Sequence, residues 1–511
     1  MFNNLPDSWA IVPMSEISDF NPKNYCLIDK ANELPVHFVP MSAVTEEFGG
    51  IDVSTKRPLH EVKKGYTSFL ENDVIFAKIT PCMENGKLAV IPKLQDQLAF
   101  GSTEFHVLRA HGSVTPLWLA HFLSQETFRR FARQNMTGSA GQLRVSTNWL
   151  ASTGIPVAPI TEQTRIVEKL EELLSDLDAG VSELKAAQKK LGQYRQSLLK
   201  AAVEGALTAQ WRAQHTPTET GAQLLERILK ERRARWEAKQ LAKFEEQGKA
   251  PPKDWQKKYP GPVRPETSGL SELPKGWVWS SIGQCFQVAV GATPSRKEPS
   301  YWDGAIPWVS SGEVRFSRIT ATKEMITEQG LKNTSTQINP IGSVMLGMIG
   351  EGKTRGQVAI LDVPAANNQN CAAIWASETD IPPEYVYYWL WSQYEETRRG
   401  SSGNNQPALN KSIVERISFP IAPLDELKQI VRQVDRELNA AAEQERAIEH
   451  ALKQSAAQRK NILKAAFSGQ LVPQDPGDEP AAVLLERIRA EQAHASAPER
   501  KPRRGQTQES A

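Results

Sequence analysis

The sequence predicts an α+β fold in which two repeated mixed α/β blocks are joined by two long helices, packed as an antiparallel coiled coil with pseudo-two-fold symmetry. Internal repetition is the first observation behind this. "PVAPITEQTRIVEKLEELL", from Pro156, returns as "PIAPLDELKQIVRQVDREL", from Pro420, and the register runs without a gap to "LLKAAVEGAL" against "ILKAAFSGQL". Roughly 16 of these 52 positions are identical where chance gives about three, so the chain contains a duplication. "LPDSW" at Leu5 answers "LPKGW" at Leu273, and "LLERI" occurs at both Leu224 and Leu484.

A helical stripe is the second observation. Ile166, Leu170, Leu173, Leu177, Val181, Leu184, Leu191 and Leu198 recur at mostly helical spacing without a proline to about Ala202. Some 40 residues at 1.5 Å each give a rod of roughly 60 Å, too long for burial against one small domain. The second copy, about Glu426 to Ser468, carries a weaker stripe of Ile430, Val434, Leu438, Ile448, Leu452, Ile462 and Leu463. Thr161 and Asp425 are the expected N-caps, with Glu162 and Glu426 in the first turn. Two such rods in one duplicated chain most simply pack on each other, the alternative being that each lies solvated on its own block.

Third, each rod follows about 150 residues of short apolar runs and turns and a Pro-rich hinge, "IPVAPIT" or "FPIAPLD". The expected order is a first block at 1–159, the first rod at 160–208, a basic helix and Pro-rich linker at 209–271, the second block at 272–423, the second rod at 424–472, and a short helix with a disordered tail at 473–511.

A formal net charge of +2 implies no nucleic-acid or membrane partner by itself, so any basic surface must be local. Cys26, Cys82, Cys285 and Cys371 stand singly, which suggests neither a disulfide framework nor a zinc ribbon and suits a reducing cytoplasm. No apolar stretch approaches a membrane span, and the N-terminus has no basic segment leading into an apolar run; a cytoplasmic protein is expected.

One motif invites a catalytic reading. "GMIGEGKT" places Gly347, Gly352, Lys353 and Thr354 in the pattern of a phosphate-binding loop, which needs a helix directly after it. The duplication tests this. "NDVIFAKITPCMENGKLAVI", residues 72–91, lies over "GSVMLGMIGEGKTRGQVAIL", residues 342–361, and the first copy lacks the motif's glycines. Both copies share an apolar strand, a turn with Gly86 or Gly356, and a second apolar strand, so a hairpin is expected.

Other chemistry is equally thin. No methyl-transfer, metalloprotease or nucleophile-elbow motif occurs, and no metal-type His/Cys cluster is evident. His106 and His121 are expected to be structural, and "HEVKK" at His60, with Asp52 upstream, holds only the common E-x-K fragment of nuclease sites. No catalytic residue and no metal ligand is assigned.

Together, "LPKGWVW", "GATPSRKEPSYWDGAIPWVSSGEV", the 72–91 segment, "GSAGQLRVSTNWLASTGIPVAPITEQTRIV" and "LLKAAVEGALTAQW" resemble the specificity subunit of type I restriction-modification systems, over nearly the whole chain apart from the tail. The resemblance implies a non-catalytic reader of double-stranded DNA. Each block would be a target recognition domain for one part of a bipartite sequence. The long helices would separate the domains and carry two methyltransferase subunits, which restriction/translocase subunits would join. S-adenosylmethionine would belong to the methyltransferase partner, and ATP and Mg to the restriction partner. This chain would bind no cofactor and no membrane.

Base reading needs donors and acceptors that can enter a groove: Arg for guanine, Asn or Gln for adenine, Ser for several edges. At Gly-rich turns the candidates are Lys78, Asn85, Lys87, Gln142 and Arg144 in the first block, and Ser295, Arg296, Lys353, Arg355, Asn404, Asn405 and Gln406 in the second. Trp302 and Trp308 are expected in the core rather than as base stackers. The segment from Arg227 to Arg264, about twice as rich in basic as in acidic residues, could contact phosphates or be a solvated helix and linker. We favour the second because its copy near Leu484 is shorter and less basic. Two rivals stay open: a coiled-coil adaptor without DNA contact, and a nuclease or ATPase with intrinsic activity.

Overall fold

The computed structural model describes residues 5–23, 33–94, 98–139, 141–350, 353–399 and 409–495. The chain forms two compact units, residues 1–185 with 449–511 and residues 186–448. Each unit thus holds one block and part of both rods.

In the first unit, Ala10–Pro13 pairs antiparallel with Gly154–Val157, joining the start of the block to its hinge. Behind this pair stand two four-stranded sheets. One runs Ser18–Phe20, Phe105–Ala110, Val74–Ala77, Leu88–Val90; the other runs Lys56–Pro58, Pro35–Val39, Leu98–Gly101, Thr67–Leu70. Val74, Ile75, Phe76 and Ala77 are all buried, which is why that strand reads as a continuous apolar run rather than an alternation. Helix Pro116–Ser124 starts where Thr115 accepts the Trp118 N–H at 3.1 Å with Pro116 at the first position, and it buries Trp118, Leu119 and Phe122.

The second unit repeats the plan. Val278–Ser281 pairs antiparallel with Ser418–Ile421. A five-stranded sheet runs Val288–Val290, Cys371–Ile374, Val344–Gly347, Val358–Leu361, Ser317–Ile319, and a three-stranded sheet runs Glu324–Ile326, Trp302–Val309, Ala366–Asn367. Helix Pro383–Ser392 takes the place of Pro116–Ser124.

The rods are continuous helices, Ile160–Val203 of 44 residues and Leu424–Ala466 of 43. Their cores lie at the ends. Ile166 and Leu170 pack in one cluster with Ile462, Leu463 and Phe467 in the first unit, while Leu199, Ala202 and Val203 share a cluster with Leu427, Ile430 and Val434 in the second. Within each unit, the beginning of one rod therefore meets the end of the other, an antiparallel pairing. Leu173, Leu177, Val181, Leu184, Leu191, Leu438, Ile448 and Leu452 are only half-buried, whereas Leu198 is buried. Arg459 pairs with Asp178 in the first unit, and Arg195 meets Glu445 at 2.6 Å in the second.

Two expectations change. Both rods begin one residue before the expected caps, at Ile160 and Leu424, so Thr161 and Asp425 lie inside the first turn and the Thr161 hydroxyl is spent on Asp478. The basic segment is not wholly a solvated linker. It begins within helix Gly221–Glu246, whose Leu224 and Ile228 are buried in the core of the second block, and Arg232 donates to the carbonyls of Gly283 and Phe286. The expectation of a disordered tail falls on residues outside the described ones.

Candidate nucleic-acid interface

The phosphate-loop question is settled by pairing. Val344–Gly347 and Val358–Leu361 are antiparallel neighbours, with Val344 opposite Ile360 and Leu346 opposite Val358, so Lys353 and Thr354 lie on a turn that leads into a strand and not into a helix, while Gly352 lies outside the described residues. Its copy pairs Val74 with Val90 and Phe76 with Leu88. Gly86 and Gly356 hold equivalent places with φ of +70° and +82°, a left-handed backbone that favours glycine. The duplicated chain has kept one turn geometry and changed what it displays: Asn85 precedes the glycine in one copy, Arg355 in the other.

In the first block three segments converge beside this turn. Thr80 donates from its backbone to the Leu143 carbonyl at 3.0 Å, Val145 donates to the Lys78 carbonyl at 2.8 Å, and Lys78 donates to that of Glu104 at 2.9 Å. Lys78, Gln142 and Arg144 are thereby brought together. Arg144 forks onto Glu104 at 3.0 and 2.9 Å, and that bond holds the Glu104 carboxyl below its usual range. Gln142 is exposed, and its carbonyl accepts from Arg144 at 3.3 Å. Asn85 stands apart from this group, donating its side-chain amide to Glu46 at 2.8 Å. Lys87 is committed inward, its ammonium on the carbonyls of Met41 and Val44 at 3.1 and 2.9 Å.

The second block separates its candidates into two groups. Lys353 and Arg355 lie on the hairpin turn. Lys353 is exposed, and its carbonyl accepts from the Tyr394 hydroxyl at 2.9 Å; Arg355 is half-buried and donates to the Thr397 carbonyl at 3.3 Å. Ser295 and Arg296 lie on another loop, where Arg296 pairs with Glu324 and stacks over Trp302 at 3.8 Å. Trp308 is buried and Trp302 half-buried, as expected of core residues. Asn404, Asn405 and Gln406 lie outside the described residues.

The carboxylates that aim these cations escaped sequence reasoning. Glu104 is 40 residues from Arg144 and Glu324 is 28 from Arg296, separations at which no periodic signal exists. A bidentate carboxylate fixes the plane of a guanidinium, through Nε and Nη2 in Arg144 and through both terminal nitrogens in Arg296.

Two histidines point inward. His106 bonds the Val145 carbonyl at 2.8 Å and His121 bonds Glu171 at 2.6 Å, both rings being buried. Burial pushes the thiols of Cys285 and Cys371 up to about 12, so neither is a thiolate nucleophile near neutral pH. Among the described residues no group of three His, Cys, Asp or Glu is placed to hold a metal ion, and no helix is long and apolar enough to cross a membrane.

Each unit also has a cleft of about 640 Å³ at the end of one rod. Leu199 and Lys200 line the one in the second unit; their copies Leu463 and Lys464 line the one in the first.

Comparison with known proteins agrees with this architecture. The Type I restriction modification DNA specificity domain matches twice, over residues 6–186 and 274–454. The chain is 25% identical over 489 residues to the type I restriction enzyme EcoAI specificity subunit of Escherichia coli, covering 84% of this chain and 77% of that protein. It is 31% identical over 340 residues to the EcoEI specificity subunit of the same species, covering 58% and 54%. Among solved structures, one titled for complex assembly and conformational transition of the type I R-M system superposes with a TM-score of 0.66 at 20% identity, over 92% of this chain and 100% of that one. The HsdS subunit from Thermoanaerobacter tengcongensis gives 0.51 at 18% identity, over 91% and 98%. Matched twice by one domain over more than half its length, the chain belongs to the type I restriction-modification DNA specificity family.

Proposed function

We propose that the chain reads a bipartite double-stranded DNA target, each block being a target recognition domain for one part. Family membership makes it the non-catalytic specificity subunit that recognises DNA within a restriction-modification complex. The observation that carries the two-part reading is the repeated hairpin turn: one backbone presents Asn85 in one block and Arg355 in the other. Asn suits adenine and Arg suits guanine, so one scaffold used twice would read two different sequences. We keep Lys78, Asn85, Gln142, Arg144, Ser295, Arg296, Lys353 and Arg355 as the residues facing DNA, while the inward bonds of Lys87 suit it to holding its loop.

The rods act as the spacer, because a helix fixes distance better than a flexible linker and half-sites on one face of B-DNA recur about every 34 Å. The two equivalent clefts are the seats for two methyltransferase subunits, since a partner bound twice needs the same surface twice. Restriction/translocase subunits join that assembly. S-adenosylmethionine is used on the methyltransferase, ATP and Mg on the restriction subunit, and the complex works in the cytoplasm.

Coexpression with the cognate methyltransferase subunit, followed by sequencing of methylated adenines, tests this. A split motif with a constant spacer is expected, and exchanging residues 1–155 for another subunit's block alters one half only. Methylation that is unsplit, or absent despite an assembled complex, sinks the reading.

A further inference from the structure

The two hairpin turns are braced from below in the same way. In each block a short helix follows the buried one: Glu126–Gln134 after Pro116–Ser124, and Tyr394–Arg399 after Pro383–Ser392. Each short helix packs against the turn's positive-φ glycine. A Cβ on Gly86 would stand 1.9 Å from Arg129 Nη1, and one on Gly356 would stand 3.2 Å from Tyr394 Cδ2.

Arg129 is an unusual brace. It is buried, and its Nη2 forks onto both Glu47 oxygens at 3.0 and 2.8 Å. Among the described residues its Nε and Nη1 have no acceptor. Glu47 and the following Phe48 both hold left-handed backbone, at φ +56° and +58°, a conformation that costs free energy in non-glycine residues and needs outside restraint. The restraint comes from the turn and from Arg129. Glu47 and Phe48 donate their N–H groups to the carbonyls of Asn85 and Gly86 at 2.9 and 3.1 Å, and Glu46 accepts the Asn85 side-chain amide. Arg129 therefore fixes both the loop that orients Asn85 and the glycine beside it. In the second block Tyr394 does this through the Lys353 carbonyl, and Arg398 donates to the Tyr394 hydroxyl at 3.2 Å.

We propose that Arg129 and Tyr394 are positioning residues for base discrimination, one for each half of the target, acting through Asn85 and through the Lys353–Arg355 turn without touching DNA themselves. The assignment rests on the reading that these turns meet DNA.

The test maps methylated motifs on host genomic DNA after coexpression of the full chain with its methyltransferase, comparing Arg129→Met, Arg129→Lys, Tyr394→Phe and Asn85→Ala. Arg129→Met is expected to lower discrimination against mismatches in one half of the motif about tenfold, with the other half unchanged, because a mis-set side chain forfeits the geometry of base reading. Arg129→Lys, which keeps a cation for Glu47 but has no second nitrogen to pack against Gly86, falls between. Tyr394→Phe is expected to relax the opposite half. If Asn85→Ala relaxes the motif while Arg129→Met and Tyr394→Phe leave it intact, the positioning role is overturned. If Asn85→Ala also leaves it intact, the turn's role in reading fails, and the positioning role with it. Should Arg129→Met fail to assemble, Tyr394→Phe, which removes only a hydroxyl, decides: relaxation of one half supports the proposal and an unchanged motif refutes it.

Discussion

The indole N–H of Trp277 donates to the buried carboxylate of Glu426 at 2.9 Å, at the foot of the second rod. Its copy is Trp9 with Glu162, at 3.1 Å. The second partner of each carboxylate differs. Glu426 also takes Arg212 at 2.6 Å and Thr208 at 2.7 Å, whereas Glu162 takes the neutral Gln474 at 2.6 Å. Removing the charge should therefore matter in one copy and hardly in the other. Glu426→Gln is expected to cost about 2 kcal/mol, since it leaves a partly buried guanidinium without its counter-ion, and Glu162→Gln less than about 1 kcal/mol at pH 7. Hydrogen exchange of the amides in the first turns of the two rods would read both values locally; equal losses would refute the distinction.

The same pair gives a pH dependence. Burial raises the Glu162 carboxyl above its ordinary value of 4.5, against the lowering pull of its bonds from Gln474 and Trp9. The folded state thus holds this proton more tightly than the unfolded one. Its contribution is fully present below 4.5 and is lost as pH rises through the raised value. Neighbouring Asp478, lowered chiefly by its bond from Arg165, has the opposite sign: its contribution is present above 3.8 and lost as pH falls through the lowered value. The difference between wild type and Glu162→Gln isolates the first effect. Wild type should gain stability relative to the variant as pH falls from 7 toward 4.5, checked by urea unfolding across that range.

The rods should be unevenly sensitive along their length. Ile430 and Val434 are fully buried where the second rod meets its unit's core, whereas Leu184 and Leu191 are half-exposed. Ile430→Ala is expected to cost about 3 kcal/mol, by lost transfer energy and a cavity, and Leu184→Ala under about 1 kcal/mol. Urea midpoints of the free chain measure both; a Leu184→Ala loss as large as that of Ile430→Ala would show a tighter middle.

Much of the fold was legible because duplication and periodicity are local signals. The stripe from Ile166 to Leu198 marks the first rod, and the overlay of residues 72–91 on 342–361 marks a hairpin where the motif alone suggests a phosphate loop. Less legible was what depends on pairing across long separations. Nothing local marks Glu104 as the partner of Arg144, or Leu224 and Ile228 as core rather than linker. Lys87 shows the same limit: it sits on a Gly-rich turn, yet its acceptors lie 46 and 43 residues away.

Lys353 and Lys87 should accordingly respond in different assays. The Lys353 ammonium is exposed, with no acceptor among the described residues. Lys353→Ala is expected to weaken DNA binding by the assembled complex and to reduce the slope of log affinity against log salt by about 1 if it meets a phosphate. Lys87→Ala should leave that slope unchanged and instead loosen residues 41–44, read as faster amide exchange there. A salt slope altered by Lys87→Ala alone would reverse the assignment.

The spacer role makes the most demanding prediction. Removing two heptads from the middle of each rod, where packing is thinnest, shortens both by about 21 Å at 1.5 Å per residue. An equal cut in both helices keeps their apolar faces in register, so assembly with the methyltransferase should survive. DNA turns once in about 34 Å, and a loss of about 21 Å swings the second half-site roughly 220° away from the face that its domain must meet. Methylation at the original motif should therefore disappear even though the complex still purifies intact. If the shortened chain assembles and methylates the same motif with the same spacer, the rods do not set the distance.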